Sequence, residues 1–547
     1  MKDTAGSSET TGVADRRAFL KLAGGAAVST AAGFALAACG GSGPYKSRSS
    51  KSTTMSTPTS SAPPVTASAT SSDWATLGRS LSGSLVRPGD PAYTTSSELF
   101  NPKFDSISPA GIAYCASSAD VATCLAFVQD HALPFAARSG GHSYGGYSTS
   151  GGGLVIDVTR QADVQLSPSG STATVGAGAR LVDVYSTLGA AGVALPGGSC
   201  PTVGIAGLAM GGGFGVVDRR FGLTCDNLVS ATVVLASGKT VTCSASEDPD
   251  LYWAIRGGGG GNFGVVTEFT FDVHAIGALG LFTLVWPFTD ASAVVEAWQS
   301  WAPSAPNEIW SNCQLLNSQS TPSGTAPAAR VTGVSVGSLS DLEQQVSGFI
   351  SSVGATPFNH FVGSDSYPNA MLVEAGCDGD TVAECHLPSQ DARGILTRSP
   401  FAAKSDFLGS PLGSSGLSAL IGAIEKRESS GLPGGGIVLD AAGGEINQMA
   451  SDATAFCHRD ALASIQYSAE WQTGASPSVV NANLQWLLAA WQSMRPYVNG
   501  QAYQNYIDPN LANWQQAYYG QNLARLKQVK ATYDPHDLFR FAQSIPL

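Results

Sequence analysis

Residues 136–148 read AARSGGHSYGGYS, with one histidine, His142, set among four glycines and five hydroxyl-bearing side chains. Glycine lacks the Cβ that bars positive φ, so successive N–H groups can turn toward one point and cradle a phosphate or pyrophosphate. His142 then stands beside whatever that cradle holds. Taken alone, the stretch equally suits turn glycines around a hydrogen-bonded histidine in a β-rich domain. It is no P-loop, since no Lys-Ser/Thr follows the glycines, and no G-x-G-x-x-G leads into a helix. The next residues, GGGLVIDVTR, read as a strand. Two further glycine-rich loops, PGGSCPTVGIAGLAMGGGFG at 196–215 and RGGGGGNFG at 256–264, could converge with the first on one long anionic ligand.

Length and charge bound the answer. A chain of 547 residues has room for two or three units with full cores. Its 29 basic and 41 acidic residues leave a net charge of −12 with no basic stripe, which argues against a nucleic-acid partner and for a small molecule. The 64 glycines follow no G-X-Y period, so they mark tight loops and not collagen.

The first 38 residues read as a targeting segment. Asp15-Arg16-Arg17-Ala18-Phe19-Leu20-Lys21 is a twin-arginine signature, followed by an Ala/Gly-rich run too weakly apolar for a convincing membrane span. Leu36-Ala37-Ala38-Cys39 then resembles a lipobox, whose cysteine would be lipidated; the alternative is an ordinary cleavage site with a chance cysteine. The expectation is an extracytoplasmic protein, tied at Cys39 to the outer face of the cytoplasmic membrane. Residues 39–73 are rich in Ser, Thr and Pro and read as a flexible tether.

The rest reads as α+β. Over 74–275, a helix capped at Ser118 and carrying Val121, Leu125 and Val128 on one face alternates with short strands and the three loops. Over 276–495, longer strands such as LFTLVWPF, ARVTGVSVG, GGIVLDAAGG and SIQYSAEWQ are separated by amphipathic helices, which predicts an antiparallel sheet backed by helices with its free face over the ligand. In the last of those helices Val480, Leu484, Leu487, Leu488 and Trp491 form the expected buried stripe.

RSGGHS, then GGSCPTVG, then YQNYID and YDPHDLFRFAQSIP near the end together resemble the berberine bridge enzyme-like family of FAD-linked oxidases, within the vanillyl-alcohol oxidase group. The resemblance implies a two-part FAD-binding domain, a substrate domain, and a segment 496–547 that returns to the FAD domain. It implies FAD joined covalently to His142 and Cys200. Arg138, Ser139, Gly140, Gly141, Ser143, Gly204, Gly207, Gly211 and Gly212 would serve the pyrophosphate, with Val203, Asn262, Gly264, Val266 and Asn505 as further cofactor contacts. No metal site is assigned.

For the reaction, Tyr506 is the expected base, Asp440 its helper and Gln466 a substrate-orienting group. A phenol of pKa about 10 is mostly protonated at neutral pH, so Tyr506 needs a partner to carry the proton away. Some relatives place a lysine two positions before the glutamine; here that residue is Ser464, which shifts weight to a carboxylate partner. The implied function is oxidation of an alcohol, sugar or secondary-metabolite hydroxyl by hydride transfer to flavin, with O2 reduced to H2O2. Twin-arginine export, which carries folded proteins, suits an enzyme that must take up FAD first. The rivals are a dehydrogenase using another acceptor and, from another class, a solute-binding lipoprotein, which would not need the His142 and Cys200 contexts together. Of the ten cysteines, Cys377 and Cys385 flank a turn-rich spacer and are the expected disulfide. The pairing of Cys115, Cys124, Cys225, Cys243, Cys313 and Cys457 stays open.

Overall fold

The computed structural model describes residues 69–320 and 326–547. The twin-arginine segment, Cys39 and most of the tether lie outside the described residues. The tether's expected end at residue 73 falls inside a helix, Ser71–Ser80, because Thr70 and Asp73 form a reciprocal capping box that starts it.

The first half contains two sheets. Strands β1 (Ser84–Val86), β2 (Gly111–Tyr114), β3 (Phe135–Arg138) and β4 (Leu154–Asp157) form a sheet in the order β1-β2-β4-β3. Its β2–β4 and β3–β4 pairs are parallel. The crossover between β2 and β3 is the helix Ser118–Asp130, in which Val121, Leu125 and Val128 are all buried. Ser117, not Ser118, caps that helix, its hydroxyl accepting from the Asp120 N–H.

The second sheet is antiparallel, in the order β5-β6-β10-β8-β9, from β5 (Val164–Leu166), β6 (Thr172–Gly176), β8 (Leu228–Val234), β9 (Thr240–Ser244) and β10 (Val265–Asp272). The short strands β7 (Val193–Ala194) and β11 (His274–Ala275) pair beside it.

The second half is one seven-stranded antiparallel sheet. It runs β15-β12-β14-β13-β17-β18-β16, from β12 (Ala278–Pro287), β13 (Ile309–Leu316), β14 (Ala328–Ser335), β15 (Asn359–Ser366), β16 (Phe401–Leu408), β17 (Gly436–Ala441) and β18 (Ala463–Glu470). Alternate residues bury one face against the helices Ala291–Trp301, Leu339–Val353, Ser414–Ser429 and Pro477–Met494, in a core that holds Trp286, Trp298 and Phe349.

The buried stripe of helix Pro477–Met494 is rotated from its expected position. Asn483, Trp486, Ala490 and Met494 face inward, while Leu484 is 38% exposed. The cause is polar: buried Arg427 donates to Asn483 Oδ1 at 2.7 Å, and Asn483 Nδ2 donates to the Val479 carbonyl. That satisfied pair carries Asn483 into the core at a position that apolar periodicity gives to its neighbour.

The chain's end returns to the first half. Tyr519 donates its hydroxyl proton to the Gly258 carbonyl, Lys530 Nζ donates to the Asn262 carbonyl, and the Ile545 N–H donates to Asn262 Oδ1. Arg219 joins the halves a second time, its buried guanidinium donating to the carbonyls of Ala305, Ile309 and Ala442. Cys377 and Cys385 are disulfide-bonded, and the other six cysteines whose pairing was open are thiols.

Candidate active site

A cavity of about 540 Å³ runs between the first half and the uncovered face of the seven-stranded sheet. One end is walled by Arg138, Ser139, Gly140, Gly141, His142 and Ser143, with Val203, Gly204, Gly207, Gly264 and Val266. Cys200 opens onto the same space, as do Asp440, Gln466, Asn505 and Tyr506. Residues from six separate stretches of sequence therefore line one cavity.

Local chemistry explains the glycine loops. Gly141 has φ +74°, which a side chain would resist, and the turn it makes sends its carbonyl to the Phe100 N–H. The first and second loops meet so closely that a Cβ on Gly140 would lie 2.2 Å from the Gly204 nitrogen. Among the described residues the N–H groups of Ser139, Gly140 and Gly141 donate to no main-chain carbonyl. Arg138 donates through Nε to buried Asp157, and its Nη1 is buried without a partner. A cradle of unspent donors beside a buried cation fits the pyrophosphate of a dinucleotide.

His142 is held from two sides. Phe100 stacks on its ring at 4.1 Å and 19°, and Nε2 meets the hydroxyl of fully buried Thr202 at 2.9 Å. Burial, reinforced by the positive charge of Arg180, pushes its pKa down to about 3, so the imidazole is neutral at ordinary pH. A neutral imidazole is the nucleophilic form. Cys200 sits on the second loop, packed against the small core that holds the Cys377–Cys385 disulfide.

Three expected contacts lie elsewhere. Gly211 and Gly212 end the helix Ile205–Met210, and their N–H groups are spent on the carbonyls of Leu208 and Ala209, so neither faces the cavity. Gly211 is needed for another reason: a Cβ there would come within 1.9 Å of Asn505 Oδ1. Asn262 is fully buried, and its side chain ties the third loop to the chain terminus by donating to Gly258 and Gly259 and accepting from Ile545.

At the other end, Asp440 stands opposite Asn312 in the β13–β17 ladder and receives a hydrogen bond from its side chain. Burial raises its pKa to about 6, and the Asn312 bond acts the other way. Thr332 and Gln314 both donate to Asn312 Oδ1, at 2.8 and 3.0 Å, which leaves its amide N–H groups for Asp440. Ser464 faces Asp440 across the next ladder, buried, with its hydroxyl unpartnered.

Gln466 donates to the Tyr144 hydroxyl at 2.9 Å, and the Tyr144 ring lies parallel to that of Tyr506 at 5.4 Å and 11°. Tyr503 packs edge-on to Tyr506 at 4.9 Å. Its buried hydroxyl accepts from the N–H groups of Gly213 and Phe214 and from Asn505 Nδ2, pinning the terminal segment to the second loop.

Sequence reasoning passed over Tyr144, Asn312, Gln314, Arg330, Thr332 and Glu374, all of which line the cavity. The alternation Trp310, Asn312, Gln314 in IWSNCQLL was the available signal, a strand with a polar free face.

Two family models match the chain, an FAD binding domain over residues 109–244 and a berberine and berberine-like segment over 502–546. The FAD-linked oxidoreductase YgaK of Bacillus subtilis (strain 168) is 31% identical over 470 residues, 85% of this chain and 97% of the relative. The berberine bridge enzyme-like D-1 protein of Nicotiana tabacum is 30% identical over 453 residues, 75% of this chain and 78% of that one. The chain belongs to the berberine bridge enzyme-like family of FAD-linked oxidoreductases.

Solved structures agree on the architecture. BBE-like 1 of Physcomitrella patens superposes with a TM-score of 0.79 at 30% identity, covering 87% of this chain and 99% of that one. A chitooligosaccharide oxidase superposes with a TM-score of 0.76 at 27% identity, covering 86% and 99%. The fold is thus the α+β arrangement of these FAD-binding proteins, and the protein is an enzyme that uses FAD on a small-molecule substrate.

Proposed function

We propose that the enzyme oxidises a hydroxyl of a polyhydroxylated substrate, such as a sugar, on FAD linked to both His142 and Cys200, with O2 as acceptor. The observation that carries the substrate choice is the free face of the seven-stranded sheet. Thr283, Thr332, Asn312, Gln314, Asp440 and Gln466 line it with hydrogen-bonding groups, and Gln314 Oε1 among them has no partner in the protein, which a purely apolar ligand would leave unsatisfied. FAD, when bound, supplies the hydride acceptor.

This chain's residues do the rest. Ser139, Gly140, Gly141, Ser143, Gly204 and Gly207 would hold the pyrophosphate, and neutral His142 and Cys200 would be the attachment points. Gly264 and Val266 wall the cofactor's side, and Asn505 fixes the turn that carries Tyr506. Tyr506 would take the substrate's hydroxyl proton, a role supported by its stacking on Tyr144, which Gln466 holds by a hydrogen bond. Asp440, with a pKa near 6, is a proton acceptor matched to neutral pH. Val203 on the cavity wall is small enough to leave room for O2.

The substrate reading is tested by anaerobic addition of glucose, galactose or sorbitol to the flavin-loaded protein. Bleaching of the flavin band by polyols and not by an apolar aromatic alcohol supports it, and the reverse pattern rejects it. Attachment is tested by acid precipitation. His142→Ala and Cys200→Ala should each leave flavin in the pellet through the other link, and only the double variant should release it. Complete release by either single change would refute the double attachment.

We further infer export by the twin-arginine route and a lipid anchor at Cys39, on the motifs at 15–21 and 36–39. Cys39→Ala should move the protein from the membrane to the soluble fraction; a protein already soluble with Cys39 intact would remove the anchor from the account.

A further inference from the structure

The turn that carries Tyr506 is fastened at both ends to one strand. β16 ends the seven-stranded sheet, so its outer edge meets no further strand among the described residues. Its ladder with β18 sets Ser405 opposite Gln466, which lines the cavity, and Lys404 opposite Tyr467, which belongs to the helix-covered core. Successive residues of a strand point to opposite faces. Ser405 Oγ accepts from the Tyr503 N–H at 3.0 Å, and Lys404 Nζ donates to Asp508 Oδ2. Residues 503–508 therefore pass round the sheet edge, tied to the cavity face at one end and to the covered face at the other. The short helical turn Gln504–Tyr506 lies between the two ties.

Asp508 is held from several sides. Its carboxylate and the Lys404 ammonium are each 8% exposed, and Lys404 Nζ lies 4.8 Å from the centre of the Trp491 ring. Asp508 Oδ1 accepts from the Asn510 N–H at 2.9 Å, its own N–H donates to the Tyr518 hydroxyl at 2.8 Å, and its carbonyl accepts from Gln543 Nε2 at 2.8 Å. Lys103 feels the same carboxylate, whose charge partly offsets the burial that lowers its pKa. For stability alone an ion pair is a poor choice here, because both charges must leave water and apolar residues of similar volume often hold a fold as well. What the pair adds is direction: Nζ and Oδ2 must meet for either charge to be buried, which fixes where the segment ends. A base needs that precision. It must come within about 2.6–3.2 Å of the group whose proton it takes, and a misplacement of about 1 Å can cost about 10² in rate.

We propose that Lys404 and Asp508 are positioning residues for the reaction, their ion pair and the Ser405 tie together setting how far Tyr506 enters the cavity. Neither Lys404 nor Asp508 lines the cavity, so both act through Tyr506. This rests on the reading of Tyr506 as the base.

Two measurements on the flavin-loaded protein test it. The first needs no substrate: hydrogen exchange across 501–510, read by mass spectrometry, in the wild type, Lys404→Arg and the double variant Lys404→Met/Asp508→Leu, which leaves no lone buried charge. The double variant should keep its Tm within a few degrees of the wild type. Its amides at 503–508 should exchange about tenfold faster or more, with the helix-covered core unchanged, and Lys404→Arg should stay close to the wild type. The second is anaerobic stopped-flow reduction by glucose, galactose or sorbitol. The double variant should lower the limiting rate about tenfold or more with little change in the half-saturating concentration. Placed in the Tyr506→Phe background it should slow reduction no further, because nothing is left to position.

Unchanged exchange at 503–508 in the double variant overturns the proposal, since the segment then keeps its place without the pair. Equal slowing with and without the Tyr506 hydroxyl also overturns it and leaves the pair a purely structural role. If Tyr506→Phe is itself reduced as fast as the wild type, the base reading fails and the positioning role falls with it. If none of the three polyols reduces the flavin, the polyol reading fails and the exchange comparison decides the role of the pair. Should the double variant not fold, Asp508→Asn, which keeps an acceptor for Lys404 and removes the charge, carries both comparisons.

Discussion

On the helix-covered face of the seven-stranded sheet, three buried indoles are tied down, although Trp301 Nε1 and Arg427 Nη1 are buried without partners. The indole N–H groups of Trp286, Trp298 and Trp486 donate to the Ala355 carbonyl, the Ser311 hydroxyl and the Ala423 carbonyl. On the opposite face, one residue along the same strands, Gln314 Oε1 and Arg330 Nε are buried without partners. Both faces come from the same alternation, so the strands themselves do not distinguish them. What differs is the cover: one face is packed under helices, and the other opens onto the cavity.

The contrast can be broken by substitutions on each side. The largest effect on stability is expected for Trp298→Ala on the covered face. It removes a fully buried indole and its hydrogen bond and should cost about 3–5 kcal/mol, seen as a lowered Tm and a lowered denaturant midpoint. If thermal unfolding is unchanged, the covered face is not the stabilising one.

Asp440→Asn, on the open face, should behave in the opposite way. Asp440 has a pKa of about 6, raised by burial. Its carboxylate form therefore prevails above that pH, and the rate of flavin reduction in the wild type should climb through pH 6 and level off. The variant should lose about 10² in rate, the lower end for a proton-transfer group, and lose that inflection. A raised carboxyl pKa favours the folded state below the unfolded pKa of about 4, an advantage lost as pH rises through about 6. Asp440→Asn should then hold or raise Tm relative to the wild type above pH 6. A variant with the wild-type pH profile would reassign Asp440 to structure.

The same contrast explains what the sequence disclosed. The flavin half was legible because each loop carries its own chemistry in consecutive residues: His142 in its glycine setting, Cys200 ahead of Pro201-Thr202-Val203-Gly204. The substrate half is written in register, which no single stretch contains. Asn312 meets Asp440 only because β13 pairs with β17, strands more than a hundred residues apart.

Three strands escaped for physical reasons. β13 and β15 carry Ser, Asn, His and Asp that face the cavity or the sheet edge, which masks a hydrophobic alternation. β16, FAAKSDFL, has Ala, Lys and Asp, which strands disfavour, tolerated because Lys404 pairs with Asp508 and Asp406 with Arg495. Gly211, Gly212 and Asn262 were assigned to the cofactor by their place in glycine-rich runs, whereas their backbone and side chains are spent inside the protein.

The central claim is that the proton leaves the substrate through the Tyr506 end of the cavity. Its most direct test is anaerobic stopped-flow reduction of the Tyr506→Phe variant at saturating sugar, compared with the wild type. Tyr506→Phe removes one oxygen from a ring still stacked on Tyr144, so flavin content, Tm and reoxidation by O2 should be retained. The reduction rate should fall by about 10² to 10⁴. A variant reduced as fast as the wild type would contradict the account.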